Sequence, residues 1–155
     1  MVAYATVLMN KAQFNPLDSL VFLTNRVGRL LANRIRLRSN MESLGLMPHH
    51  IGILVELWAK DGLRQQDLAM SVIKDKATIA RALDHLEEQD IAVRVPDPAD
   101  KRNKRIHLTR KGAGLQQQIL PHAESVMEEV LEEVKPKDLE TCKRVLAHIY
   151  HKLSQ

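Results

Sequence analysis

The residues from Lys74 to Gly112 read KDKATIARALDHLEEQDIAVRVPDPADKRNKRIHLTRKG. Ile79, Leu83 and Leu86 recur at helical spacing, which predicts a helix over about Asp75 to Gln89. Asp75 can cap it by accepting from the backbone N–H of Thr78. At about 100° per residue, Thr78, Arg81 and His85 form a polar face roughly 140° from the apolar one. Two strand candidates follow, Ala92 to Val95 and Arg105 to Leu108, joined through Pro96, Asp97, Pro98 and Asp100, all turn formers. From Lys101 to Gly112 there is no acidic residue, while Lys101, Arg102, Lys104, Arg105, Arg110 and Lys111 are basic. A helix with a polar face followed by a projecting basic hairpin can meet two DNA grooves at once.

Each residue type suits a separate task. Thr78 and Arg81 fall in the first turns of the helix, the part of a recognition helix that reaches base edges. Arginine can pair bidentately with guanine, and threonine can bond a base or pack on a thymine methyl. His85 shares their face. Arg102 at the hairpin tip suits a narrow minor groove, whose potential attracts arginine. Lys104 and Arg105 are placed for phosphates, which set register and affinity. Asp100 is the odd charge in this set. Its expected role is a brace that holds Arg102 or Arg105. Gln65, Lys74 and Lys76, around the starts of the two short helices, complete the candidate DNA contacts.

Outward from this block, the rest of the chain is helical in pattern. Asn15-Pro16 marks a start, and Leu20, Leu23, Val27, Leu30, Leu31 and Ile35 give a long helix over about Leu17 to Met41. Five arginines and no acid lie in residues 26–38. The expected arrangement is one face in a core and the cations in water. Pro48 opens a second helix, with Ile51, Leu54, Val55 and Trp58 on one face and Asp61-Gly62 as its closing turn. A short third helix over about Gln65 to Val72 turns Leu68 and Ala69 inward. With the helix after it, this makes a helix-turn-helix. Thr109 can cap a helix from Arg110 to about Val134, with Leu115, Ile119, Val126, Val130 and Val134 inward and Pro121 inside it. A last helix opens at Pro136. Leu139, Cys142, Leu146, Ile149 and Leu153 are spaced 3-4-3-4, a narrow seam suited to helix pairing between subunits.

The chain has 155 residues, a net charge of +4 and one cysteine. That length accommodates one domain, or one domain with helical extensions, and a core without disulfides. Charge is segregated: residues 115–142 hold seven acids and two lysines, against the arginine-rich first helix. The imbalance suits a polyanionic partner on one side. The single Cys142 fits a reducing compartment. No signal peptide or membrane span is expected, so the location expected is cytoplasmic.

Asp100-Lys101-Arg102 followed by Leu108-Thr109 and Gly112 resembles the wing signature D-x-R-x5-L-T-x-x-G of MarR-type regulators. Thr78 to Arg81 and Leu83 to Glu87 are similar to that family's recognition helix, and the order of elements fits from about Leu17 to Leu153. Asp90 stands where the family has glycine at the end of the recognition helix; aspartate tolerates a left-handed cap better than most residues. The resemblance implies a mostly α fold with a small β-hairpin wing, that is, a winged helix-turn-helix with N- and C-terminal dimerisation helices. Residues 1–16 would be a tail, 17–44 and 113–155 the dimerisation region, and 45–112 the DNA-binding lobe. It implies a homodimeric transcriptional regulator, a repressor, bound to a pseudo-palindromic operator in double-stranded DNA in a bacterium or archaeon. It also implies release by a small anionic or phenolic ligand, in a crevice near Asn25, Arg29, His49 and Ile53 and the residues around Leu115 to Ile119.

Chemistry of other kinds finds little footing. There is no nucleophile–base pairing, Gly-rich phosphate loop or carboxylate cluster, so no enzyme and no cofactor is expected. Seven histidines include His148 and His151 at i, i+3, with Cys142 two turns earlier, but no metal-ligand set is assigned. Cys142 on the apolar seam is expected to be a buried, unreactive thiol. Two further readings stay open: a metal- or redox-responsive regulator using these side chains, and a winged-helix module that binds protein.

Overall fold

A computed structural model describes residues 15–72 and 75–154. Lys74 and all but the end of the expected N-terminal tail lie outside the described residues. The chain divides into two compact units, Met1–Ala123 and Glu124–Gln155.

In the first unit, Asn15 caps a 3-10 turn over Pro16–Asp18, its side chain accepting from Leu17 N–H at 3.1 Å. Helix α1, Leu20–Arg38, therefore begins one turn later than Asn15-Pro16 alone indicates. No α1 residue is fully buried; Leu31, Ala32, Ile35 and Arg36 are half-buried, and the expected apolar face is otherwise exposed. A 3-10 turn over Met41–Leu44 ends at Gly45. Helix α2, Pro48–Ala59, has Pro at its first position and buries His50, Ile53, Leu54 and Leu57. Val55, expected on the inner face, is exposed, because Ile53 and Leu57 occupy that face instead.

A two-residue strand β1, Leu63–Arg64, leads directly into α3, Gln65–Ser71, and then α4, Lys76–Glu88. Leu68 and Ala69 of α3 meet Ile79, Ala82, Leu83 and Leu86 of α4 in one core with Met41, Leu46 and the inner residues of α2. Helix α4 ends with Asp90 in the left-handed region at φ 55°. Ile91 N–H reaches Leu86 O at 2.8 Å and Asp90 N–H reaches Glu87 O at 2.9 Å. This is the paired C-terminal cap in which glycine is favoured.

Strands β2, Ala92–Pro96, and β3, Lys104–Leu108, pair antiparallel with Arg94 opposite Ile106 and Val95 opposite Arg105. The strand order is β1-β3-β2. After β3 the chain is fixed by the L-T-x-x-G residues. Thr109 donates its hydroxyl to Asp90 O at 2.7 Å, and its oxygen accepts from Gly112 N–H at 3.1 Å. A Cβ at Gly112 would stand 2.0 Å from Ile91 O, so no other residue fits. Trp58 Nε1 donates to Gly112 O at 3.0 Å, tying α2 to the same point. Helix α5, Arg110–Leu131, starts here and runs into the second unit, with Pro121 inside it.

In the second unit, Val130 and Val134 are exposed, not inward, while Val126 is buried. Helix α6, Pro136–Leu153, has no fully buried residue. Leu146, Tyr150 and Leu153 are exposed, and so is Cys142, which corrects the expectation of a buried thiol for the single chain. No helix among the described residues is long and apolar enough to cross a membrane.

Candidate nucleic-acid interface

Helix α4 is fixed at its N-terminus by Asp75, which accepts from Thr78 N–H at 2.9 Å and from the Thr78 hydroxyl at 2.6 Å. These bonds hold the Asp75 carboxyl below its ordinary pKa, the hydroxyl contact being the larger cause. The apolar residues face the core, leaving Ala77, Arg81, Asp84 and Glu88 exposed. Arg81 is exposed and its Nη2 lies 3.4 Å from Thr78 Oγ1, so the two side chains sit together on the first turns.

His85 does not complete that face. It lies at the edge, its Nε2 2.8 Å from Gly45 O and its ring stacked on His50 with centroids 4.6 Å apart. A carbonyl can only accept, so Nε2 carries the proton and the side chain holds α4 to the turn before α2. This corrects its assignment as an outward contact. His50 is buried, and its Nδ1 accepts from Met47 N–H at 3.1 Å. Its pKa is lowered to about 4 by burial first, then by the neighbouring His49 and His85.

The wing loop runs from Asp97 to Asn103. Asp100 takes Arg102 in a fork, Nε to Oδ1 at 3.0 Å and Nη2 to Oδ2 at 3.1 Å, and accepts from Arg102 N–H at 3.1 Å. The paired guanidinium depresses the Asp100 pKa and raises that of Arg102. Despite this pairing, the Arg102 side chain is 91% exposed. Of the two arginines left open by the sequence for the Asp100 brace, the structure selects Arg102.

Arg105 has a different occupation. Its Nε meets Asp97 Oδ2 at 3.0 Å and its Nη1 donates to Gly62 O at 3.0 Å. Asp97 is fully buried and also receives Arg64 Nε at 3.1 Å and Ala99 N–H at 2.9 Å. The Ala99 amide is the largest cause of its lowered pKa, opposed by burial and reinforced by Arg105 and Arg64. Arg105 is therefore a strut at the base of the wing, correcting its assignment as a phosphate anchor. Asp97, read in the sequence only as a turn former, is the missed residue. The available signal was an acid between two prolines inside an otherwise basic hairpin.

Gln65, Lys76, Arg102 and Lys104, from three elements, come together around a cleft of about 330 Å³, with Arg64, Gln66, Asp67 and Asn103 completing its wall. Lys76 and Lys104 are exposed and Gln65 is half-buried. The cleft joins the helix-turn-helix to the wing on one cationic surface. The proposed effector crevice is not assembled in the same way. Asn25, Arg29 and His49 are exposed, but Ile53, Leu115 and Ile119 are fully buried core residues. Ile53 is a fully buried member of the core cluster and presents no surface to a ligand, which corrects that assignment. Among the described residues, no group of three His, Cys, Asp or Glu side chains could hold a metal ion.

The family pattern described as "MarR family" matches residues 46–104, which run from the start of the core through α4 to the wing. Residues 46–104 are therefore similar to the MarR family. It is 25% identical over 105 residues to the HTH-type transcriptional regulator MhqR of Bacillus subtilis (strain 168), covering 68% of this chain and 72% of that one. It is 36% identical over 72 residues to the transcriptional regulator HosA of Escherichia coli O111:H-, covering 46% of this chain and about half, 53%, of HosA. Among solved structures it is similar to CouR from Rhodococcus jostii RHA1 bound to p-coumaroyl-CoA, with a TM-score of 0.74 and 25% identity over 88% of this chain and 95% of that one. MhqR and HosA are both transcriptional regulators. The winged helix-turn-helix expected from the sequence is the fold observed.

Proposed function

We propose that this protein is a homodimeric, sequence-specific repressor that places α4 in a major groove and the wing in the adjacent minor groove. The observation that carries this reading is the cationic cleft that joins Gln65, Lys76, Arg102 and Lys104, with Arg81 exposed on α4. Arg81 reads a base edge, Arg102 enters the minor groove, and Lys76 and Lys104 neutralise phosphates. The protein acts in the cytoplasm.

The dimer is supported by apolar faces left exposed on the terminal helices. On α1, Leu20, Leu23, Val27, Leu30 and Leu37 are exposed at coiled-coil spacing. On α6, Leu146 and Leu153 continue the seam that begins at Leu139. Residues 17–44 and 113–155 form the dimerisation region in this reading, and 45–112 the lobe that meets DNA. Two-fold symmetry then sets half-sites about one helical turn apart, roughly 34–36 Å.

CouR is bound to p-coumaroyl-CoA in its structure. By likeness, this chain responds to a small anionic or phenolic effector, with Asn25, Arg29 and His49 as the surface residues that would meet it.

The test is selection from a random duplex library by the purified protein, with its mass measured in solution. A dimer that enriches a pseudo-palindrome supports the reading. A monomer, or a dimer that enriches no sequence, overturns it.

A further inference from the structure

Arg94 of strand β2 bonds the recognition helix at several points. Arg94 lies on the inner face of the wing, with its side chain only 18% exposed. Its Nη2 donates to Ala80 O at 3.1 Å, its Nη1 lies 2.8 Å from Asp84 Oδ1, and Nη1 also pairs with Glu87 Oε2. Its backbone N–H donates to the other Glu87 oxygen at 2.8 Å. Ala80, Asp84 and Glu87 are spaced i, i+4, i+7, so the guanidinium spans two turns of one flank of α4.

Two consequences follow from that geometry. The outer edge of β2 is not an open ladder, because Arg94 N–H is taken by Glu87. The two carboxylates on this flank of the recognition helix are also matched by a cation, where phosphate would otherwise be repelled.

We infer that Arg94 is a positioning residue that fixes the wing's angle to α4, so that the minor-groove arginine and the major-groove reader engage DNA as one body. Arg94 touches no DNA in this account; it acts through Glu87, Asp84 and Ala80 O. The inference rests on the DNA-binding reading for its consequence, though not for the coupling itself.

The experiment has two arms on the full chain, using Arg94→Met, Arg94→Lys and, should Arg94→Met not fold, Glu87→Gln. The first is amide hydrogen exchange without DNA. Loss of a charge-assisted contact should speed exchange of the wing amides from 92 to 108 by about tenfold, with α2 unchanged. Arg94→Lys restores the charge without the fork and should recover only part of the protection. The second is hydroxyl-radical and methylation footprinting on the duplex selected by the wild type. Arg94→Met should lose minor-groove protection while keeping major-groove protection. Unchanged wing exchange, or protection lost equally in both grooves, would overturn the inference. If exchange responds while the wild type selects no duplex, the coupling stands and the DNA-binding reading fails.

Discussion

The carboxylate of Asp97 lies fully buried at the base of the wing and accepts from Arg105 Nε at 3.0 Å. The same Oδ2 atom takes Arg64 Nε from β1, at the doorstep of α3. One acid thus ties the hairpin loop to the start of the helix-turn-helix. Burial alone would raise the carboxyl's pKa, but the Ala99 amide and the two guanidiniums lower it. A carboxylate with a depressed folded pKa stabilises the fold above its unfolded value, and the gain is lost as pH falls through the folded value. Asp97→Asn should therefore lower the Tm at neutral pH, and the gap to wild type should narrow as pH falls below about 3.8. Melting curves between pH 3 and 7 check this, and a constant gap would count against it.

His50 acts in the same direction at higher pH. Its pKa falls from 6.5 to about 4 on folding. Between those values the unfolded chain binds more protons than the folded one, so stability rises with pH through that window. Wild type should lose stability between pH 6.5 and pH 4, and His50→Asn should show a flatter profile. Urea midpoints across that range decide it; parallel profiles would refute the role of His50.

The departure at Asp90 also has a measurable consequence. A non-glycine residue at φ 55° is held there by the two cap bonds to Leu86 and Glu87. Asp90→Gly relieves the left-handed strain and should stabilise the protein by about 1 kcal/mol. Chemical denaturation tests the sign, which is the informative part.

The helix starts could be read in the sequence because local chemistry makes them. Pro48 and Pro136 sit at the first helical position, Asp75 caps α4 and Thr109 caps the start of α5. Gly112 is required by one backbone oxygen, which gives its place in the wing signature a steric reason. The side-chain roles were less legible where the partner is distant in sequence. Arg105 and Lys104 are neighbours in a basic run, yet strand alternation turns one toward Asp97 and leaves the other in solvent. His85 looked outward by helical angle, but Gly45 O, forty residues away, captures it. Strand β1 is two residues long and carries no periodicity to detect. The inner-face role of Arg94 depends on strand register, which alternation only partly specifies.

Lys104 and Arg102 should separate in their salt dependence. Lys104→Ala should weaken all duplexes alike and reduce the slope of log affinity against log salt by about 0.9. Arg102→Ala should weaken AT-rich flanks more than GC-rich ones, since a narrow minor groove concentrates negative potential. Equal losses on both flanks would remove Arg102 from the minor groove.

Base reading by α4 is proposed to act through Arg81. Its most direct measurement is the equilibrium affinity of wild type and Arg81→Ala for the selected duplex and for each of its single-base variants. Wild type should lose about 1–3 kcal/mol at one position in each half-site, and Arg81→Ala should lose that discrimination while keeping it elsewhere. An Arg81→Ala protein with the wild-type profile, or one weakened equally on every duplex, would contradict the claim.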